Sequence, residues 1–411
     1  MTPRATARIC LSAAAMCIAS LSKAGVWGTQ PVLGVSADYA SNPALLTIPD
    51  TAETHAALLL DAPASYVGDA YKLTILPSFR LSDSQGYSTL DSDYEHLTVS
   101  NEFDTARSTF TVAAMVGRDS SLYRDYLLNG SAGVRRDSGT VDLNWDRHMT
   151  ERLDFDADLN SQRVRFAESA GSSLNSSLTD YKYTSLSPTL SWDESERGKL
   201  TASISVGRYD SLSAETESEN ANLQLGFVQK LSAIWTLSAS AGYSRADNQA
   251  EETVCSEYVI TPSGIFCLVP VGVDYKSTQN GTIFQASLTR QTSLWTLTAT
   301  ASQQLAPTGF AFLSRQDLYE LRAIYAVSPR WTITGDAREN SYQQPTASGV
   351  GSAELRTTSL QASAAWLWTE HWTLTMNASY VTEHYGSPST SLSDTSVSVE
   401  VSRQFDWKKF R

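Results

Sequence analysis

Four stretches in the second half of the chain, 234–243, 294–300, 330–334 and 371–380, share a hydropathy alternation with a period of two around a Trp-Thr pair. In the first, Trp235, Leu237, Ala239, Ala241 and Tyr243 point one way while Thr236, Ser238, Ser240 and Gly242 point the other. Leu200, Ala202, Ile204 and Val206 repeat the pattern, as do Leu153, Phe155, Ala157 and Leu159. A helical period fits none of these stretches, so the chain reads as all-β. Soluble strands average about 5–6 residues, whereas these run to 10–14, which disfavours a soluble sandwich or propeller.

The spacing of the aromatics points to a membrane. Eight steps separate Trp235 from Tyr243, roughly 26 Å at a strand's rise. Tilted by about 40°, that projects to roughly 20 Å, close to the apolar band of a transmembrane β-barrel. Trp372 and Tyr380 repeat the distance, and Trp295 and Trp331 open strands of the same kind. Rings at both ends of an aliphatic stripe mark two lipid interfaces. No internal run is long and apolar enough for a helical span. A formal charge of −13 argues against a nucleic-acid partner.

Connections alternate in length. Tight turns fall at 62–69 and near Thr105, Met149, 194–198, Leu231, Thr292, Pro329 and Glu370. Longer polar segments fall at 41–54, 82–92, 119–138, 166–180, 210–218, 245–277, 306–316, 340–354 and 384–393. Eight turns and nine loops join about eighteen strands, 16–18 in an up-and-down antiparallel barrel, with short periplasmic turns and long outer loops. Val32–Tyr39 must then pair with Thr395–Phe405, since two open edges cannot stand in lipid. Val397, Val399 and Val401 share the apolar side of that last strand, with Arg403 interrupting it near the interface and an aromatic, Phe410, next to the end.

Arg4 and Arg8 before the apolar run Ile9–Leu21, with small residues at Ser22 and Ala24, form a secretory signal peptide over 1–24. Residues 25–411 are then the barrel. Loss of two arginines and Lys23 moves the charge from −13 to −16 and leaves only Cys255 and Cys267. In an exported chain these most simply form one disulfide, worth about 3 kcal/mol. The long segment that holds them either packs into the lumen as a plug or forms a stapled surface hairpin.

The opening Val35-Ser36-Ala37-Asp38-Tyr39-Ala40-Ser41-Asn42-Pro43-Ala44-Leu45, Pro77 within a strand and the Trp-Thr-Leu-Thr hairpins resemble the beta-barrel porin 2 family. The resemblance covers the mature chain in outline. It implies a non-catalytic conduit for export of an exopolysaccharide or capsule polymer, handed over by a periplasmic export component.

Barrels of 16–18 strands enclose an aqueous channel. Its wall is expected to present the short hydroxyls Thr236, Ser238, Ser240, Thr296, Thr298, Thr300, Thr373 and Thr375, with Asn377. One hairpin differs: Asp142, Asn144 and Asp146 share a face, opposite Asp154, Asp156, Asp158 and Asn160. Such a wall either disfavours anions and admits cations or neutral sugars, or serves to keep the lumen wet. Arg163 and Arg165 belong to the rim, and Glu320, Arg322, Asp336 and Arg338 form a mixed-charge patch. No phosphate loop, metal-spaced Cys/His cluster or nucleophile elbow occurs, so neither an enzyme nor a cofactor is expected. Three classes stand: a polysaccharide conduit, a small-solute diffusion porin, and a structural or adhesive barrel with ligand-binding outer loops.

Overall fold

The computed structural model describes residues 25–42, 52–84, 93–120, 135–166, 179–212, 216–261, 264–307, 313–343, 354–385 and 390–405, with the backbone alone over 250–275. The leader expected over 1–24 and Phe410 lie outside them.

The first strands are β1 (Val26–Thr29), β2 (Val32–Ala40), β3 (Glu53–Asp61), β4 (Ala64–Val67), β5 (Tyr71–Ser84), β6 (Tyr94–Asp104) and β7 (Ser108–Ser120). Next come β8 (Arg135–His148), β9 (Leu153–Phe166), β10 (Tyr181–Ser195), β11 (Gly198–Ser211), β12 (Thr216–Lys230), β13 (Trp235–Thr261) and β14 (Gly264–Gln291). The last are β15 (Trp295–Pro307), β16 (Leu313–Ser328), β17 (Trp331–Gln343), β18 (Glu354–Leu367), β19 (Trp372–Tyr385) and β20 (Thr390–Gln404). Among the described residues there is no helix.

All twenty belong to one sheet, which closes as an eighteen-stranded antiparallel barrel. The two counts differ because β1 prolongs β2 and β4 prolongs β3, each across a break that ends in proline, Gln30-Pro31 and Ala62-Pro63. Proline cannot donate to the ladder. Its carbonyl still accepts: Phe405 N donates to Pro31 O at 2.8 Å, and Ala62 N to Pro77 O at 3.0 Å. Closure is made by β2 on β20, in register from Val32 opposite Gln404 to Ala40 opposite Ser396. Each tight turn expected from the sequence joins two strands, except that the one expected over 62–69 is shorter, because β4 (Ala64–Val67) pairs with β1 and β5 inside it.

The turns before the Trp-Thr repeats share a device. Ser232 Oγ accepts the N–H of Trp235 at 3.2 Å, Thr292 Oγ1 that of Trp295 at 2.9 Å, and Thr369 Oγ1 that of Trp372 at 3.2 Å. A hydroxyl three residues ahead thus bonds the first amide of the returning strand. The tryptophans begin the outward rows. Trp295 stacks on Tyr325 with ring centroids 4.1 Å apart, and Trp331 on Trp366 at 5.5 Å. Arg403, the break in the last strand's apolar face, lies over Trp372 at 5.4 Å and over Phe405 at 4.9 Å, where a guanidinium at an interface gains from the ring faces.

Above these rings the outer face is aliphatic and bare; Leu225 is 65% exposed, with Val35, Ile204, Leu321 and Leu360 similarly uncovered. So continuous an apolar surface is incompatible with water and is what lipid covers. Tyr243 and Tyr380 stand exposed at the far end of the same rows.

One expectation is corrected. Residues 245–277 are not a loop: β13 and β14 stay paired from Trp235 opposite Arg290 to Thr261 opposite Gly264. Runs of Val, Ile and Thr suit an extended ladder. Pairing with β12 ends at Ala250, and β15 joins β14 only at Phe284. The excess is therefore a two-stranded ribbon. Cys255 stands opposite Pro270 and Cys267 opposite Tyr258. Their side chains lie outside the description, but three residues of stagger put their Cα atoms about 11 Å apart, so a disulfide needs this ladder to slip.

The orientation of β20 has a measurable consequence. Val399 faces out beside Met376, midway between Trp372 and Tyr380, and Ser398 faces in beside Asn377. Val399→Arg should cost about 2–4 kcal/mol in denaturant unfolding from lipid vesicles, whereas Ser398→Arg should cost under about 1 kcal/mol.

Candidate functional site

The inward face is identified by burial: Val164, Tyr209 and Ser218 have no exposed surface, and their alternating neighbours carry the bare aliphatics. The side chains of Thr236, Ser238 and Ser240 lie on this face in the same row as Lys230, Val228 and Gly226 of β12. Thr296, Thr298 and Thr300 stand inward opposite Ile324, Arg322 and Glu320, and Thr373, Thr375 and Asn377 opposite Ser402, Glu400 and Ser398. All nine are half-buried. Trp235, Tyr243, Trp295, Trp331, Trp372 and Tyr380 occupy the alternate, outward positions.

Asp142, Asp146, Asp154, Asp156 and Asp158 also face inward, brought into one patch by the β8–β9 ladder. Asp146 stands directly opposite Asp156, an arrangement that like charges resist. The amides between them relieve it. Asn144 Nδ2 donates to Asp156 Oδ2 at 2.7 Å, and Asn160 donates to Asp142. At the periplasmic end Asp154 accepts from Lys199 Nζ at 3.0 Å and lies 2.7 Å from His148 Nδ1. Sequence reading missed both partners, although the alternation of β11 already sets Lys199 on the same face as Thr201. Asp193, opposite Lys199, adds another inward carboxylate.

Across the lumen the mixed-charge residues are in register as opposites: Glu320 faces Arg338, and Arg322 faces Asp336. Arg163 and Arg165 alternate with buried Val164 and so point outward.

Depth divides the lumen. Toward the periplasmic turns the inward side chains are half-exposed, a vestibule wetted by solvent. Toward the outer end they are covered: Ser218, Asn248, Ser314, Asn340 and Glu383 are each at most 2% exposed. Val164, Tyr181 and Tyr209, from three adjacent strands, pack with Leu313 at the head of β16, and Phe166 and Tyr183 close on them. Tyr181 and Tyr209 stack at 5.3 Å. An apolar bridge between two walls therefore narrows the outer half, built from residues whose alternation gave no hint that they would meet.

A polar bridge lies beside it. Buried Arg136 binds buried Asp119 with two parallel bonds, Nε to Oδ1 at 2.9 Å and an Nη to Oδ2 at 3.0 Å. His96, stacked under Tyr94 at 5.1 Å, brings Nε2 to 3.4 Å from the same carboxylate. Removing one partner strands the other in a poorly solvated site. Arg136→Met should destabilise the barrel by about 3–5 kcal/mol, and the double change with Asp119→Leu by clearly less; a double-mutant cycle by denaturant unfolding in lipid measures both.

Solved structures share this architecture. The ferric citrate transporter FecA in its unliganded form superposes with a TM-score of 0.50 at 8% identity, covering 92% of this chain and 79% of that one. OpdQ of Pseudomonas aeruginosa gives 0.47 at 11% identity, covering 94% and 100%. At such identities the likeness shows the fold alone, that of outer-membrane β-barrels. No family model and no curated protein matches the chain, so the resemblance to the beta-barrel porin 2 family rests on the residues quoted for it.

Proposed function

We propose that this barrel is a diffusion channel of the outer membrane for small hydrophilic solutes, favouring cations and uncharged molecules over anions, without catalysis. The observation that carries it is the inward patch Asp142, Asp146, Asp154, Asp156 and Asp158, half-exposed in the wetted vestibule and met by one lysine. Carboxylates on a low-dielectric wall focus a negative potential into the water they enclose. Anions entering from the periplasmic side meet that field, while cations are concentrated by it. The hydroxyl rows on the other walls offer hydrogen bonds without charge, which suits uncharged polar solutes equally.

Export of an exopolysaccharide, with a periplasmic component delivering it, is what the family resemblance implies. The covered outer half of the lumen favours narrow solutes over a polymer, which supports the small-solute channel.

Planar bilayers test it. Under a potassium chloride gradient the reversal potential should show cation preference. The preference should weaken between 0.1 and 1 M salt, as the screening length falls from about 10 to about 3 Å. Changing Asp154, Asp156 and Asp158 together to Asn keeps side-chain shape and should cut the permeability ratio by about half or more. Anion preference in the unmodified channel would sink the reading.

A further inference from the structure

The outward rows of β8–β12 change character over two steps of the pleat. Leu143, Leu159, Leu186, Val206 and Ala221 stand in register as an unbroken aliphatic row. The next outward row contains Val141, Ser161, Thr184, Arg208 and Glu219; the one beyond contains Gly139, Arg163, Lys182, Asp210 and Glu217. Hydrocarbon ends at the first row, so the third lies at the depth of lipid headgroups in the outer leaflet.

Arg163 and Lys182 are direct cross-strand neighbours in that third row. Like charges so placed repel unless an anion lies between them. The other cations nearby are already neutralised: Arg208 by Asp210 at 3.0 Å and Glu217 at 2.8 Å, and Arg245 by Asp247 at 3.0 Å. Lys182 has Asp210 as its other cross-strand neighbour, but that carboxylate is bonded to Arg208; among the described residues no ion pair joins a carboxylate to Arg163 or Lys182, and Arg163 Nε is buried without a hydrogen-bond partner. Beside Arg163 stands Gly139, where a side chain would meet nothing within 4 Å, leaving a notch. Lys182 and Arg208 rim a groove of about 790 Å³ lined by Leu159, Leu186 and Val206, with the carboxylates of Asp210, Glu219 and Asp247 beside Arg208 and Arg245.

We infer that this outward groove binds a phosphate-bearing glycolipid of the outer leaflet, its phosphate between Arg163 and Lys182 and an acyl chain along Leu159, Leu186 and Val206. A single molecule that joins an anion to a hydrocarbon chain at this depth satisfies both the unpaired cations and the bare apolar floor. The inference is independent of what crosses the lumen.

The test uses the full mature chain in detergent, with bound lipid read by native mass spectrometry. The probes are hexa-acylated lipid A, the same lipid without its phosphates, phosphatidylglycerol and inorganic phosphate. Lipid A should be retained, and loss of its phosphates should weaken retention about tenfold. The double variant Arg163→Gln, Lys182→Gln should lose about as much, while Arg290→Gln at the periplasmic end should bind as the parent does. Heat-modified gel mobility checks that each variant is folded; if the double variant is not, Lys182→Gln alone and weakening of parental retention with added salt carry the test. Undiminished binding by the double variant, or equal binding of dephosphorylated lipid A, overturns the site. So does equal retention of phosphatidylglycerol, which would mark general anionic-lipid binding, or displacement of lipid A by inorganic phosphate, which would mark an ion site.

Discussion

Everything in this molecule depends on the absence of water around its backbone. In hydrocarbon an unpaired N–H or C=O costs several kcal/mol, so a sheet can stand there only if its first strand meets its last. The ladder between β2 and β20 meets that requirement over nine residue pairs. Pro31 and Pro63 fall at breaks near the short-turn end, outside the longest run of the ladder, whereas Pro77 and Pro188 lie within β5 and β10. The same constraint makes the alternation strict, because every residue between the two rings of aromatics must face either lipid or the interior.

The interior is not uniform, and its two halves follow different physics. In the vestibule, solvent does most of the solvating, so carboxylates tolerate one another across β8 and β9 with amides interleaved. Farther out the polar groups are covered: Arg136 and Asp119 pair with each other, while Ser218, Asn248 and Glu383 are buried with no protein hydrogen-bond partner among the described residues. The Tyr181–Tyr209 stack against Val164 and Leu313 belongs to this drier half. The acidic patch and the apolar contact thus lie at different depths of one tube.

Much of the barrel was legible in the chain. Tryptophans at 235, 295, 331 and 372 mark where strands re-enter the membrane, and turns with a hydroxyl three residues ahead of three of them mark where the chain reverses. Those signals are local, so reading them needs no partner strand. The segment around Cys255 and Cys267 was misread as a loop because its alternation extends beyond any aromatic ring. Without a lipid boundary, nothing local distinguishes a paired ribbon from a folded loop.

Period-two alternation decided by itself that the chain is a barrel, which side of each strand faces lipid, and that five aspartates share one interior hairpin. These are consequences of pleat geometry and neighbours along the chain. Only the tertiary structure decided that Leu313 meets Val164 from another wall, that Lys199 reaches Asp154, and that Arg163 and Lys182 stand side by side. Such contacts depend on strand stagger and on how the closed sheet curves. That information belongs to the set of strands as a whole and is written in no single stretch of sequence.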